Sequence, residues 1–482
     1  MRDKLLNILK ENGLKNNELA VASALILGYK DDLGEELKHS YSSAGATHVL
    51  AVSGLHVGII FLVLNFLLNI LDKNDRFKIS KAILLICFLW AYATITGLSP
   101  SVVRAATMFS FVTIGKSFGK SSSIYNTLCA SAFVLLVYNP YLIMEVGFQL
   151  SYLAVVGIVY FQSIIYKWIY VKNKFLKYIW MITSVSVAAQ LSTFPLGLLY
   201  FHQFPTYFFA SNLFVIPGAM LIIGLGILLF ITSWIPLISG GIGWLLAKFI
   251  WLMNSFIITI DTLPFSLIEG ISISIFECWL IYFILLFFIV CYESRRLKYC
   301  IYALSGVILF IAFDLIEDYK NSEKKQIVIY QIKGETNINF IENQQNIFIA
   351  NTTLTENTSA MLFNVYHHWY DLDLPHPVIY SPTDNFEFQN IIGQSNFYKF
   401  GSKTLLLLDE EISNSKIIKV DILYISTAAV LNAKKLINSY QPHFVVLDSK
   451  CNWKTIHSFQ DSTIKNCKIH ELKKEGAFIL DF

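Results

Sequence analysis

Three polar residues interrupt an otherwise apolar stretch near the start of the chain. His48, Ser53 and His56 lie in the segment GATHVLAVSGLHVG at 45–58. A hydroxyl and an imidazole three residues apart share one face of a helix, where they could contact an anion or act as nucleophile and base. The same spacing also fits a structural role, in which each histidine hydrogen-bonds a neighbour.

Two glycines in the same segment indicate close helix packing. Gly54 and Gly58 are four residues apart, and small residues at this spacing allow two helix backbones to approach each other within a membrane. We therefore expect a packing seam on the helix that carries these polar groups.

A lone arginine lies in the next polar segment, TGLSPSVVRA at 96–105. Pro100 should either break a helix or open the next one in its first turn, which places Arg104 about one turn inside that helix. A guanidinium at the bilayer centre costs about 2.5–3.5 kcal/mol on insertion scales, so Arg104 should face protein or water. It is an anion contact at a pore mouth, a partner of Glu145, or a side chain that extends to the interface.

Two further segments combine polar residues with prolines. In the third, Pro140 follows the end of a helix, Glu145 lies at the interface and Gln149 points into the next helix. The fourth, at 190–220, places His202 among many aromatic residues. These aromatics form either an interfacial belt or a stacking platform for bases.

The composition places these groups in a membrane. Of 482 residues, 55% are hydrophobic and 15% are charged, against about 25% charged residues in soluble proteins. Residues 46–313 hold 15 basic and 7 acidic residues, whereas 320–482 hold 16 and 17. A disordered protein and a disulfide scaffold are excluded. The first region is predicted to be a membrane domain and the second a soluble domain.

Ten apolar segments of the first region are candidate membrane spans. Four of them have only 14 or 15 residues, so the expected count is eight to eleven. The segments are 49–71, 82–96, 102–115, 124–138, 147–165, 178–200, 207–232, 242–260, 272–291 and 299–313.

The basic residues of this region alternate between loops. Four loops hold 13 of its 15 Lys and Arg residues, and the loops between them hold none. By the positive-inside rule the basic loops are cytoplasmic, which makes the N-terminus and the tail extracytoplasmic. The residues are Lys73, Arg76, Lys78, Lys81, Lys116, Lys120, Lys167, Lys172, Lys174, Lys177, Arg295, Arg296 and Lys298.

Composition also divides the chain. Residues 1–45 are an amphipathic N-terminal segment, 46–313 the membrane domain, 314–323 a polar linker and 324–482 the tail. The tail alternates strand-like and helix-like runs, which predicts a soluble α/β or α+β domain.

On this topology the four polar segments lie on the outer face of the membrane. This arrangement suggests broken helices around a shared polar cavity, as in transporters. No GxxxxGK[ST] loop occurs, so a driving force would come from another protein. The residues leave three functions open: a channel, a permease for an anionic substrate, and an intramembrane hydrolase built on Ser53 with His56 or His202.

Four motifs resemble those of the ComEC-type competence family, whose members pass single-stranded DNA through the bacterial inner membrane during natural transformation. They are AGATHVLAVSGLHVG, TGLSPSVVRAATM, NPYLIMEVGFQLSYLAVVGI and FPLGLLYFHQFPTYFFASNLFVIPG. The resemblance covers about residues 19–312 and implies a DNA channel of the cytoplasmic membrane. It implies a role in the family's membrane core for His48, Ser53, His56, Arg104, Glu145 and Gln149; with His202, these are our candidates for the DNA pathway.

The resemblance also sets expectations for both ends of the chain. Family members usually begin with two or three spans and an outer OB-like domain, whereas here about 45 residues precede the first motif. We therefore expect that module to be absent and a separate outer DNA-binding module to be a partner. Other expected partners are membrane lipid, a cytoplasmic ATPase or helicase, and single-strand-binding proteins.

The last third of the tail resembles the second half of a metallo-β-lactamase-like fold, which many family members carry. No HxHxDH motif occurs, and Ser426-Thr427-Ala428-Ala429 stands where the family has a His-His-Gly-Ser stretch. We therefore expect a degenerate, metal-free domain, no enzyme activity, no catalytic residues and no cofactor.

Overall fold

The apolar runs of the first part of the chain form helices, because a backbone in hydrocarbon must satisfy its hydrogen bonds within each segment. The computed structural model describes residues 2–50, 52–69, 77–118, 123–332, 334–356, 358–409, 419–460 and 467–482. The chain forms two units, Met1–Ile271 and Ser272–Phe482. The basic residues Lys73, Arg76 and Lys120 of the predicted cytoplasmic loops lie outside the described residues.

The N-terminal segment packs on two helices of the first unit, α11 (Phe208–Thr232) and α12 (Pro236–Asp261), in one apolar core. The Tyr41 hydroxyl donates a hydrogen bond of 2.8 Å to Asn254 Oδ1 of α12. The segment therefore contributes to the core of the unit. Its helices are α1 (Arg2–Glu11), α2 (Asn16–Ala22), a π-helical turn (Ser23–Leu27) and α3 (Glu35–Ser43).

Seven more helices lie between α3 and α11 in the described ranges. They are α4 (Thr47–Leu50), α5 (Gly54–Leu67), α6 (Lys78–Ile95), α7 (Pro100–Ser117), α8 (Ile124–Tyr138), α9 (Val146–Tyr166) and α10 (Lys174–Phe201). Pro100 is the first residue of α7, and Pro140 opens a 3₁₀ turn (Pro140–Met144) between α8 and α9. At the end of α10, a short strand β1 (Gln203–Pro205) pairs antiparallel with β2 (Leu267–Glu269).

The second unit begins with a helical hairpin of α13 (Ile275–Ser294) and α14 (Leu297–Ser322). Residues 314–322, expected to be a linker, continue α14. The residues at the two ends of the hairpin both form hydrogen bonds with Asp371 of the tail. The Ser272 hydroxyl donates a hydrogen bond of 2.7 Å to Asp371 Oδ1, and Asn321 Nδ2 donates one of 3.0 Å to the Asp371 carbonyl oxygen.

Each predicted span overlaps a helix. In the described parts of the chain, seven helices are long and apolar enough to cross a membrane, namely α6 and α9 to α14. The helices α5 and α8 are apolar but shorter. The protein is therefore a helical membrane protein with several spans.

The tail contains two sheets with short helices. The five-stranded sheet has the order β14 (Phe478–Asp481), β3 (Lys325–Ile329), β4 (Asn337–Glu342), β5 (Gln345–Ala350) and β6 (Val378–Tyr380). The seven-stranded sheet has the order β13 (Lys468–Glu471), β12 (Phe444–Leu447), β11 (Ile422–Ile425), β10 (Lys403–Leu408), β9 (Phe397–Phe400), β8 (Ile391–Gln394) and β7 (Phe386–Phe388). The helices are α15 (Thr352–Glu356), α16 (Thr358–Met361), a π-helical turn (Leu362–Tyr366), α17 (His367–Asp371), α18 (Ala433–Tyr440), α19 (Trp453–Gln460) and α20 (Leu472–Glu475).

Alternating side chains show how the tail is layered. Leu405 and Leu407 of β10 enter a core shared by the two sheets, whereas Leu406 and Leu408 enter a core shared with α18 and α19. The outer face of the five-stranded sheet packs on α15 to α17. Strands buried on both faces read as continuous apolar runs, and the prediction of a C-terminal domain that contains strands and helices is confirmed.

Candidate functional site

Ser53 is the N-cap residue of α5 and directly precedes the helix. The Ser53 hydroxyl accepts a hydrogen bond of 3.3 Å from the Leu55 amide, and His56 Nδ1 accepts one of 3.0 Å from the Ser53 amide. This reciprocal pattern is a capping box, which satisfies amides at the start of a helix that would otherwise lack partners. The two polar residues therefore have a structural role in starting the helix.

The capping box fixes which nitrogen of His56 carries a proton. Because Nδ1 accepts the Ser53 amide, the neutral ring holds its proton on Nε2. The side chain is fully buried, and Nε2 has no hydrogen-bond partner in the part of the chain that the structure describes. An unpaired buried donor is costly, so Nε2 is available to an acceptor atom of a ligand.

The contact between Ser53 and His56 bears on the hydrolase alternative. Ser53 Oγ lies 2.9 Å from His56 Nδ1. However, Nδ1 is already engaged by a backbone amide, and no carboxylate of the described residues orients the ring through Nε2. Activation of a hydroxyl requires such an orienting group, so this geometry favours capping over nucleophilic catalysis.

Arg104 is a buried cation with an incomplete set of partners. Only 5% of the surface of Arg104 is exposed, and its Nη2 donates a hydrogen bond of 2.7 Å to Ser151 Oγ of α9. Among the described residues, neither Nε nor Nη1 has a hydrogen-bond partner. A guanidinium carries five N–H donors and is expensive to bury unless they are paired. These two nitrogens therefore mark a position for an anion or another acceptor.

The seam between α5 and α7 brings these groups to one end of the helix pair. A Cβ added at Gly54 would lie 3.7 Å from Ala105 Cβ, and one added at Gly58 would lie 3.3 Å from Phe109 Cζ. Both glycines thus face α7. Because Ala105 adjoins Arg104, the guanidinium and the capping box lie at the same end of the two helices.

Glu145 and Gln149 stand at the start of α9. The exposed Glu145 interacts electrostatically with Arg104, whereas Arg104 Nη2 donates its hydrogen bond to Ser151. Gln149 Nε2 donates a hydrogen bond of 2.9 Å to the Ile143 carbonyl oxygen, and the Tyr200 hydroxyl donates one of 3.2 Å to Gln149 Oε1. Gln149 therefore joins the turn before α9 to α10.

His202 lies at the corner that ends α10. Its φ of 52° is left-handed, its side chain is buried, and its Nδ1 lies 3.3 Å from the Ile271 carbonyl oxygen. The next residue, Gln203, donates a hydrogen bond of 2.9 Å to Ser42 Oγ. This hydrogen bond attaches the start of β1 to α3 of the N-terminal segment.

The turn before His48 depends on a glycine that sequence reasoning did not single out. Gly45 has a φ of +69°, and a Cβ there would lie 2.9 Å from Phe208 Cβ and 3.0 Å from Pro205 Cγ. Only glycine fits both the conformation and the contact. It positions α4, on which His48 is exposed and within electrostatic range of His56.

Asp448 is the centre of a buried polar cluster in the tail. Its Oδ2 accepts hydrogen bonds from the hydroxyls of Tyr424 at 2.7 Å and Ser426 at 2.9 Å, and its Oδ1 accepts from Ser449 Oγ at 2.9 Å and the Lys450 amide at 3.0 Å. Burial and the adjacent carboxylate raise the pKa of Tyr424, so its hydroxyl remains a donor. Both carboxylate oxygens are therefore engaged by the protein.

The residues at this position do not fit a pair of catalytic metal ions. Such a centre requires several histidine and carboxylate ligands. The stretch at 426–429 offers none, the sequence has no HxHxDH, and the carboxylate of Asp448 is held by four protein donors. Within the described ranges, no three His, Cys, Asp or Glu side chains form a group that could hold a metal ion.

Comparison with known families agrees with the motifs. The family model described as competence protein matches residues 25–296, which is more than half of the chain. The chain belongs to the competence protein family. Residues 327–482 match a second family model, described as ComEC C-terminal domain. The capping box and Arg104 thus lie in the competence region, and the Asp448 cluster lies in the C-terminal domain.

Several curated proteins are similar to parts of the chain. ComE operon protein 3 of Bacillus subtilis (strain 168) is 33% identical over 204 residues, which are 42% of this chain and 25% of that protein. An uncharacterized protein of Aquifex aeolicus (strain VF5) is 32% identical over 163 residues, 33% of this chain and 37% of that protein. The uncharacterized protein YcaI of Escherichia coli (strain K12) is 26% identical over 273 residues, 54% of this chain and 34% of that protein.

These matches cover only 25% to 37% of the length of the relatives. No solved structure matches the chain significantly.

Proposed function

We propose that the chain forms a pathway for single-stranded DNA through the cytoplasmic membrane during natural transformation. The observation that carries the proposal is the buried Arg104 guanidinium, whose Nε and Nη1 have no partner. Guanidinium N–H groups match the geometry of phosphate oxygens, and a strand supplies a phosphate at every nucleotide. Membership of the competence family supports this choice of anion.

The proposed mechanism is passive guidance along the ends of α5, α7 and α9. Arg104 donates to passing phosphates, and His56 Nε2 adds a neutral donor. His48, Glu145 and His202 flank the entrance, while Gln149 holds the start of α9 in place. Few charged contacts suit transport, because a strand must leave each site as readily as it enters. Aromatic residues near 200–209 offer faces on which bases stack.

The proposed orientation places the four basic loops in the cytoplasm. The N-terminus and residues 324–482 then lie on the extracytoplasmic side, where the incoming strand arrives. The support for this arrangement is the distribution of charge, because 13 of the 15 basic residues of 46–313 lie in four loops that are two or four spans apart.

Several partners follow from this mechanism. Because the sequence has no GxxxxGK[ST] loop, we propose that a cytoplasmic ATPase or helicase and single-strand-binding proteins pull the strand inward. A separate outer module would present the strand to the entrance.

For the tail, we propose a degenerate metallo-β-lactamase-like domain without catalytic activity. Support comes from its two sheets between layers of helices and from the protein-bound carboxylate of Asp448. Purified full-length protein should therefore show no metal-dependent degradation of DNA, and nuclease activity that disappears with a chelator would refute this proposal.

The same donors would serve a permease for another anionic substrate. Uptake into vesicles that contain the purified full-length chain separates the two functions. A channel for DNA should admit a labelled single strand, whereas a permease should admit a small anion such as a phosphate ester and exclude the strand.

The decisive test in cells is deletion of the gene in a transformable host. The proposal predicts loss of transformation, with recovery on expression of the full-length chain. A normal transformation frequency in the deletion strain would refute the channel function.

A further inference from the structure

Gly147 lies in the first turn of α9, directly beside the guanidinium of Arg104. A Cβ added at Gly147 would lie 3.7 Å from Arg104 Nη2 and 3.9 Å from Arg104 Nη1. Gly147 is exposed, whereas Arg104 is buried. The bare backbone of one exposed glycine is therefore a surface from which the buried cation can be approached.

The guanidinium meets α9 at two residues that are one helical turn apart. Nη2 of Arg104 donates its hydrogen bond to Ser151 Oγ, and Gly147 precedes Ser151 by four residues. Residues at this spacing share one face of a helix, so Gly147 and Ser151 both face the guanidinium. Nη1 has no hydrogen-bond partner among the described residues. An acceptor oxygen beside Gly147 would supply that partner.

The start of α9 offers backbone donors at the same place. The first four amides of a helix have no acceptor within the helix, and Val146 and Gly147 provide the first two of them. The N-cap residue, Glu145, forms no side-chain hydrogen bond with these amides. The macrodipole of this 21-residue helix adds partial positive charge at its start. The helix start and the guanidinium therefore favour the same kind of ligand, an anion with several acceptor oxygens.

The size of the side chain at position 147 controls the space beside these donors. A Cβ at 3.7 Å from the guanidinium is in ordinary van der Waals contact, so a methyl group fits there without displacing Arg104. It would nevertheless occupy space next to Nη1, and a longer side chain would cover this nitrogen. Glycine permits the close approach of a ligand to the backbone, and it leaves the amide and the guanidinium accessible together.

We propose that Gly147 is the opening through which a phosphodiester reaches Arg104, and that the first turn of α9 binds the same phosphate through its amides. The inference rests on the proposed function and deepens it by naming the residue that controls access to the anion. Phosphate oxygens match the N–H groups of a guanidinium and of a helix start. The carboxylate of Glu145, which interacts electrostatically with Arg104, opposes the bound anion and so allows a moving strand to leave. A phospholipid headgroup contains the same chemical group and is the competing source.

The test measures binding of a fluorescent oligothymidylate by the full-length chain in maltoside micelles, which contain no phosphate. Gly147→Leu and Arg104→Gln should each weaken binding about tenfold, as expected for the loss of one charge-assisted hydrogen bond. When Arg104→Gln is already present, Gly147→Leu should cause no further loss, because two residues that act through one contact are not additive. An equal loss in both backgrounds would overturn the role of Gly147.

Gly147→Ala separates access to the guanidinium from stability of the fold. Alanine favours helix and its methyl group fits beside Arg104, so the thermal midpoint should equal or exceed that of the wild type while binding becomes weaker. Gly197→Ala is the matched control, because a Cβ at this glycine of α10 meets nothing within 4 Å in the described parts of the chain. It should leave binding unchanged. Wild-type affinity in both Gly147 variants would refute the opening.

Two further measurements distinguish the source of the phosphate and the fate of the proposed function. Phosphatidylcholine added to the micelles should not displace the oligonucleotide; displacement from the wild type but not from Gly147→Leu would make this a lipid site and overturn the assignment to the strand. Uptake of a labelled strand into vesicles by the wild type tests the channel separately. A wild type that admits no strand, yet binds it less tightly after Gly147→Leu, loses the channel function and retains the anion site.

Discussion

Arg104 and His56 leave buried donors unpaired at very different costs. His56 is neutral and gives one nitrogen to a local amide, so only Nε2 remains without a partner. Arg104 is charged and leaves Nε and Nη1 without partners. Because burying an unpaired charge costs far more than burying a neutral donor, the arginine should dominate the binding of an anion.

Replacing Arg104 therefore tests the candidate site most directly. Arg104→Ala should lower strand uptake about 10- to 100-fold at matched protein levels, the loss expected for one or two charged hydrogen bonds. Arg104→Lys keeps a charge but not the planar fork and should be intermediate. Uptake of a labelled strand into vesicles measures both, with Lys248→Ala as the control. Wild-type uptake by Arg104→Ala would remove the guanidinium from the pathway.

The Asp448 cluster predicts a stabilising role for a carboxylate in the tail. Asp448→Ala leaves the buried hydroxyls of Tyr424 and Ser426 without their acceptor, so the free energy of unfolding should fall by about 2–4 kcal/mol. Pulse proteolysis of the full-length chain in denaturant measures it, with the exposed Glu387→Ala as control. Since protein donors hold the carboxylate, a chelator should not change the wild-type value; a loss on chelation would indicate a bound metal.

His368 predicts a pH dependence of tail stability. The Tyr330 hydroxyl lies 2.9 Å from His368 Nδ1, and burial lowers the pKa of the histidine. The folded state therefore resists a proton that the unfolded chain accepts near pH 6.5, so stability should fall as the pH drops below about 6.5. His368→Gln should flatten this dependence, whereas the exposed His443→Gln should retain it. An equal slope in both variants would contradict the assignment.

At the scale of elements, close contacts between helices are set by single glycines. A Cβ at Gly157 of α9 would overlap the Ser192 side chain of α10, whereas a Cβ at Gly197 of α10 would meet nothing within 4 Å. Gly157→Ala should therefore force α9 and α10 apart and destabilise the fold by about 1–3 kcal/mol. Gly197→Ala should be neutral or slightly stabilising, because alanine favours helix.

Thermal unfolding of the two glycine variants in detergent measures the difference. A lower midpoint for Gly157→Ala with an unchanged or higher midpoint for Gly197→Ala is the expected result. Equal midpoints would mean that α9 and α10 are not in close contact at Gly157.

The sequence could predict elements where one physical signal dominates. Long apolar runs predicted the helices. Strand-like runs at 324–332, 346–351, 404–409, 420–426, 443–449 and 476–482 predicted β3, β5, β10, β11, β12 and β14. It did not reveal β7 to β9, because their hairpin turns use Gln389, Ser395 and Asn396 at positive φ in place of the Asn-Gly or Asp-Gly signals on which recognition relies.

The candidate site was only partly predictable for a related reason. The cost of a charge in the membrane placed Arg104 against protein, and the four-residue spacing indicated the Gly54 seam. The hydrogen bond from Arg104 to Ser151, however, joins residues 47 positions apart in the sequence. The close approach of Gly45 to Phe208 likewise joins residues that are far apart in the sequence. Such contacts depend on tertiary packing, which local patterns do not encode.

At the scale of the whole molecule, the orientation of the tail is the prediction with the widest consequences. A cysteine introduced at Ser322 should react with a membrane-impermeant thiol reagent in intact cells, because the charge distribution puts the end of α14 outside. The parent protein, with its seven native cysteines, provides the background signal. Labelling only after the inner face is opened would reverse the orientation.

The attachment of the tail to its hairpin has a mechanical consequence. Asp371 binds Ser272, just before α13, and Asn321, at the end of α14. A partner that pulls or twists the tail therefore transmits force through one residue to both arms of the hairpin at once. The tail therefore acts as a lever on the two helices of the hairpin.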